Sequence, residues 1–121
     1  PRLKRFNEDL SGWDVSNGTD FERMFDECVA FEGDVSSWDM SNATNLRSMF
    51  SSCRTFNGNL SSWNVSGVTS FKAMLYGCHT FNGDLSSWEV SSSTTFAYMF
   101  YQCMSYNGDL SSWDVSNATN L

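Results

Sequence analysis

The residues with the most reactive chemistry recur at one spacing: Cys28, Cys53, Cys78 and Cys103 lie 25 residues apart. Two acidic columns keep the same interval, one running Asp14, Asp39, Asn64, Glu89, Asp114 and the other Asp9, Asp34, Asn59, Asp84, Asp109. Thiols at fixed intervals raise disulfides or zinc, and ranked carboxylates raise calcium, which takes several oxygen ligands. Each has a plainer alternative. One cysteine per interval with no repeated histidine cannot gather a four-ligand zinc site. A disulfide needs Cα atoms ~4.4–6.8 Å apart, which is tight across packed helices, and a buried free cysteine behaves as a small hydrophobe. Asp and Asn in turns bond nearby amides or the indole N–H of a tryptophan. No metal ligands and no cofactor are therefore assigned, and calcium-stabilised folding stays as a secondary alternative.

Nothing here assembles a catalyst. His79 is the only histidine and adjoins Cys78 in sequence, where neighbours on a helix do not face each other. The serines have no base beside them and no nucleophile-elbow motif. The chain reads as a non-enzyme.

The elements that carry these columns are repeats. Trp13, Trp38, Trp63, Trp88 and Trp113 are also 25 residues apart, without insertion or deletion, the signature of a stacked array. The units are 6–30, 31–55, 56–80, 81–105 and a partial 106–121, preceded by residues 1–5 as a linker or the end of an earlier repeat. Each unit opens with a turn such as Phe56-Asn57-Gly58-Asn59, where Asn-Gly tolerates positive φ. It continues with a Leu-Ser-Ser-Trp-Asp-Val-Ser stretch, in which Trp and Val two residues apart share one face of an expected strand. It ends with apolar residues at Leu46, Met49, Phe50 and Cys53, the i, i+3, i+4, i+7 pattern of a short helix with Thr44 as N-cap. The expected core of the second unit is Phe31, Val35, Trp38, Met40, Leu46, Met49, Phe50 and Cys53. The fold class that follows is an α/β repeat solenoid of leucine-rich-repeat type, right-handed and curved, with a short parallel strand and a short helix or 3₁₀ segment per unit.

The 121 residues make one domain's worth of chain, and the net charge of −7 argues against nucleic-acid or anionic-membrane partners. No apolar run approaches the ~18 residues of a membrane span. The chain starts at Pro1 and stops inside a unit, which leads us to expect further repeats or neighbouring subunits at its ends.

Positions that differ between units carry the information about partners. On the exposed side of the expected helices stand Arg23, Arg47, Lys72 and Tyr98, with Tyr76, Tyr101 and Met104 nearby. Tyr76, Tyr98, Tyr101 and Met104 are the protein-contact candidates, being residue types that interfaces favour; isolated surface aromatics are the ordinary alternative. Asn17, Asn42 and Asn117 head glycosylation sequons, which the repeat motif also generates on its own.

The combined motif Phe-Asn-x-Asp-Leu-Ser-x-Trp-Asp-Val-Ser, followed by Met-Phe-x-x-Cys, resembles the repeat of BspA-like leucine-rich-repeat surface proteins over residues 6–121. It is closest to the branch with a 25-residue unit found in bacterial surface lipoproteins and in protist and algal families. The departures are Leu75 in a phenylalanine column and Tyr106 in the turn. The resemblance implies a solenoid, placement outside the cell or on its surface (or in an organelle lumen), and adhesion or protein binding. A structural subunit docked in a larger assembly is the alternative.

Overall fold

The computed structural model describes residues 6–120. The linker or repeat end expected over residues 1–5 lies outside them, as does Leu121. Among the described residues there is no helix, and extended pairing is confined to one residue per rung: Asp20, Asn45, Ser70, Thr95 and Asn120 form successive parallel bridges. The expected strand-plus-helix unit is therefore incorrect. The 25-residue unit is a rung made of turns, and the rungs stack.

Five turns anchored on the core close each complete rung, and a sixth, from Ser51 N–H to the Ser48 carbonyl in the second rung, bridges two of them. In the second rung, amides donate from Trp38 to the Val35 carbonyl, Ala43 to Met40, Met49 to Leu46, Cys53 to Phe50 and Phe56 to Cys53. In the second rung each of these five turns begins and ends on an inward residue and sends its two middle residues outward. That explains the helical-looking pattern. A turn buries positions i and i+3, the next starts at i+4 and ends at i+7, so two consecutive turns reproduce the spacing of a helix face. All eight core residues expected for this rung are buried, but on corners of turns.

The same displacement corrects the strand. Trp63 closes one turn and Val65 opens the next, both buried with Asn64 exposed between them. The inside–outside alternation is as expected; the strand is not. Thr44 is no helix cap either: its amide and its hydroxyl both donate to the Thr19 carbonyl of the previous rung.

Side chains and alternate amides tie rung to rung. From Phe21 to Cys28, the amides of Phe21, Arg23, Phe25 and Glu27 donate to carbonyls of the next rung (Asn45, Arg47, Met49 and Ser51). Those of Met24, Asp26 and Cys28 close turns within the rung, and that of Glu22 reaches Asp20 Oδ1. Every donor in the segment is satisfied without a continuous strand. Aromatic columns fill the centre, Phe31, Phe56 and Phe81 stacking with ring centroids 5.8 and 6.1 Å apart. The turn glycines serve this column by size, not by positive φ. A Cβ on Gly58 would stand 2.6 Å from the Phe56 ring, and Gly33 and Gly83 are hemmed in by Phe31 and Phe81 in the same way.

Candidate functional site

The segments 21–29, 46–54, 71–79 and 96–104 form one side of the stack, called here the turn face. Two turns run back to back in each: Phe71–Met74 and Leu75–Cys78, for example. Their third residues have positive φ, at Arg23, Glu27, Ser48, Ser52, Ala73, Tyr98 and Gln102, with glycine only at Gly77 (φ +71°). Such turns favour glycine at that position, and an L-residue there costs roughly 1–2 kcal/mol. The strain is held by the ladder between rungs: Ser48 N–H to the Lys72 carbonyl (2.9 Å), Ala73 to Ala97 (2.8 Å) and Gly77 to Tyr101 (2.8 Å). A strained, over-determined backbone gives a rigid display of the side chains it carries.

Those side chains include all four candidate contact residues, and the structure brings three of them together. Tyr76 stacks on Tyr101 across neighbouring rungs (centroids 5.1 Å, 24° between planes), and Tyr98 meets Tyr101 edge to face at 6.1 Å. Tyr98, Tyr101 and Met104 are 61, 49 and 74% exposed, while Tyr76 is half-buried beneath its partner. The acids Glu22, Asp26 and Glu27 belong to the first rung's segment, whereas segments 46–54, 71–79 and 96–104 contain no acid and carry Arg47, Arg54 and Lys72.

The acidic columns occupy other corners. Asp14 and Asp39 each accept the amide and the hydroxyl of the serine two residues on, Ser16 and Ser41, at 2.6–3.0 Å. Asp114 accepts the Ser116 amide, Asn64 makes the same pair of bonds to Ser66, and Glu89 stands exposed at the equivalent position. The second column, Asp9, Asp34, Asp84 and Asp109, does likewise with Ser11, Ser36, Ser86 and Ser111. Serine hydrogen bonds hold the Asp14, Asp39 and Asp114 carboxyls below the usual carboxylate range; the Asp14 charge opposes this at Asp39. Each aspartate of the two columns is thus spent on its own turn, which offsets the repulsion that stacking like charges would otherwise cause. The corner is a turn and not the strand face expected for Asp14, Asp39, Glu89 and Asp114.

A family model described as "Mycoplasma protein of unknown function, DUF285" matches the chain twice, over residues 2–79 and 30–121. The chain belongs to the DUF285 family. No curated protein and no solved structure matches it.

In this DUF285 chain the cysteines are free thiols. Cys53, Cys78 and Cys103 each donate to a carbonyl 28 residues earlier, of Phe25, Phe50 and Leu75, at 2.9–3.0 Å. Burial is the main cause that pushes every thiol up, Cys103 to about 11 and Cys53 and Cys78 further. They are core residues with a weak donor. The indoles behave in the same way. Trp38 and Trp63 donate to the Leu10 and Val35 carbonyls and not to the acidic columns.

The sequon residues Asn17, Asn42 and Asn117 are exposed. The amide groups of Asn42 and Asn117 donate to the Ser16 and Ser91 carbonyls of the preceding rung at 2.7 Å. Sequence reasoning missed the positive-φ residues because only Gly77 among them is a glycine. No helix among the described residues is long and apolar enough to cross a membrane.

Proposed function

We propose that this DUF285 chain is a non-catalytic protein-binding or adhesion module of the BspA-like surface type, working outside the cell or on its surface. Contact is made through the turn face, with Tyr76, Tyr98, Tyr101 and Met104 at its centre. One observation carries the reading. The rungs agree in their core and in their Asx-turn corners, and they differ on the turn face, where a rigid backbone holds a cluster of exposed tyrosines. Tyrosine offers large amphipathic area at low entropic cost, and paratopes use it for that reason.

The test compares the chain with a Tyr98→Ser/Tyr101→Ser/Met104→Ser variant on a panel of purified extracellular and cell-surface proteins. Ser62→Ala/Ser87→Ala, away from the turn face, is the control. The reading expects binding that the control keeps and the triple variant loses at an unchanged melting temperature. Binding that survives the triple variant shows that contact is made elsewhere than on the turn face.

A further inference from the structure

Beyond its first rung, which carries Glu22, Asp26 and Glu27, the turn face is charged against the trend of the molecule. The chain carries a net charge of −7, yet the three turn-face segments 46–54, 71–79 and 96–104 hold only basic ionised side chains, Arg47, Arg54 and Lys72. The hydrogen bonds from Ser48 N–H to Lys72 and from Ser52 N–H to Tyr76 put the second and third rungs side by side here. The bond from Gly77 N–H to Tyr101 adds the fourth. The face therefore reads, along the stack, as an acidic first rung, a basic step over the second and third, and an aromatic step at the fourth.

We infer that the turn face binds an acidic peptide segment of a partner protein, with an aromatic or leucine side chain seated on Tyr98, Tyr101 and Met104 and carboxylates over Arg47, Arg54 and Lys72. The inference rests on the protein-binding reading above and adds the partner's chemistry. Charge complementarity selects acid over base: a basic segment would meet like charge over two rungs, whereas an acidic one gains steering and register. The exposed tyrosine edges and the Met104 thioether suit an apolar anchor. Geometry sets the spacing. Rungs lie ~4.8 Å apart, so the second and fourth are ~10 Å apart, and an extended peptide covers that in about three residues. Anchor and carboxylate should be separated by about two to four positions.

A phage-displayed library of random short peptides, selected on the immobilised 121-residue chain, tests this. Selected peptides are then re-measured against Tyr98→Ser/Tyr101→Ser and against Arg47→Glu/Lys72→Glu. The expected result is a set pairing an aromatic or leucine with acids at that spacing. Each variant weakens these peptides by about tenfold or more, and so does raising salt against the unmodified chain, a measurement that needs no variant to fold. Neutral or basic peptides that are lost on Tyr98→Ser/Tyr101→Ser overturn the acidic-partner inference and leave the protein-binding reading standing. Selection of no peptide sensitive to the tyrosine variant overturns both.

Discussion

Trp63 donates its indole N–H to the main-chain carbonyl of Val35, 28 residues earlier, at 2.9 Å inside the core. Trp38, Trp88 and Trp113 make the same bond to Leu10, Leu60 and Leu85. A tryptophan in this column both fills the rung and pins it to the one before. Trp63→Phe removes one of the two bonds that the Val35 carbonyl accepts, the Trp38 amide keeping the other, and leaves a gap beside it, and should cost about 1–3 kcal/mol by urea unfolding. Trp13, which is 55% exposed, should tolerate the same change within about 0.5 kcal/mol. Equal losses at the two positions would contradict the pinning role.

The positive-φ turns make a prediction of opposite sign at two neighbouring residues. Ala73 has φ +54° and Gly77 φ +71°. Ala73→Gly should stabilise the chain by up to about 1 kcal/mol, and Gly77→Ala should destabilise it by about 1 kcal/mol. The second effect is conformational and not steric, because a Cβ on Gly77 would meet Ser52 no closer than 3.5 Å. Chemical denaturation of the two variants checks both signs. A helix through residues 71–78 would reverse the first, since glycine weakens a helix interior.

Thiol chemistry should follow burial. Attack on a disulfide reagent needs the thiolate, and burial raises Cys53 and Cys78 beyond Cys103, which is only half-buried. In native buffer the reagent should label Cys28 and Cys103 ahead of Cys53 and Cys78, which react only on unfolding. Four thiols should be counted in denaturant without reductant. Two would mean a disulfide in the native chain.

The Asx turns set an acid limit. The Asp9, Asp14, Asp34, Asp39, Asp84, Asp109 and Asp114 carboxyls are held below their ordinary range by serine hydrogen bonds. For a carboxyl depressed in the folded state, the stabilisation is fully present above the unfolded value, ~3.9, and is lost as pH falls through the folded one. The melting temperature should therefore hold with respect to these groups above about pH 5 and fall steadily below about pH 4. Replacing Ser16, Ser41 and Ser116 with alanine removes their hydroxyl bonds and should flatten part of that fall. An unchanged slope would assign the acid loss to other groups.

Much of the molecule could be read before its structure. The 25-residue interval of the tryptophans placed the rungs, and the apolar columns picked out the core, Phe31 to Cys53 in the second rung. The elements could not be read, because Leu46, Met49, Phe50 and Cys53 are spaced alike in a helix and in two successive turns. Glycine in the turn columns would have separated the two, but Ser48, Ser52, Ala73, Tyr98 and Gln102 take the left-handed conformation without it. A ladder of inter-rung bonds imposes that conformation, and such bonds have no local sequence signal. The tyrosines of the candidate face were legible as departures from the repeat. Their mutual stacking was not, since Tyr76 and Tyr101 meet only through the register of the rungs.

On the proposed reading, the side where rungs differ is the side that binds. Its most direct test is the affinity of Tyr101→Ser for the tightest ligand found among panel proteins or selected peptides, measured beside Ser87→Ala. Tyr101→Ser should lose about 2 kcal/mol, roughly thirtyfold, at an unchanged melting temperature. Ser87→Ala removes only a hydroxyl bond to the Ser61 carbonyl and should bind like the unmodified chain. Full affinity in Tyr101→Ser together with a loss in Ser87→Ala would contradict that reading.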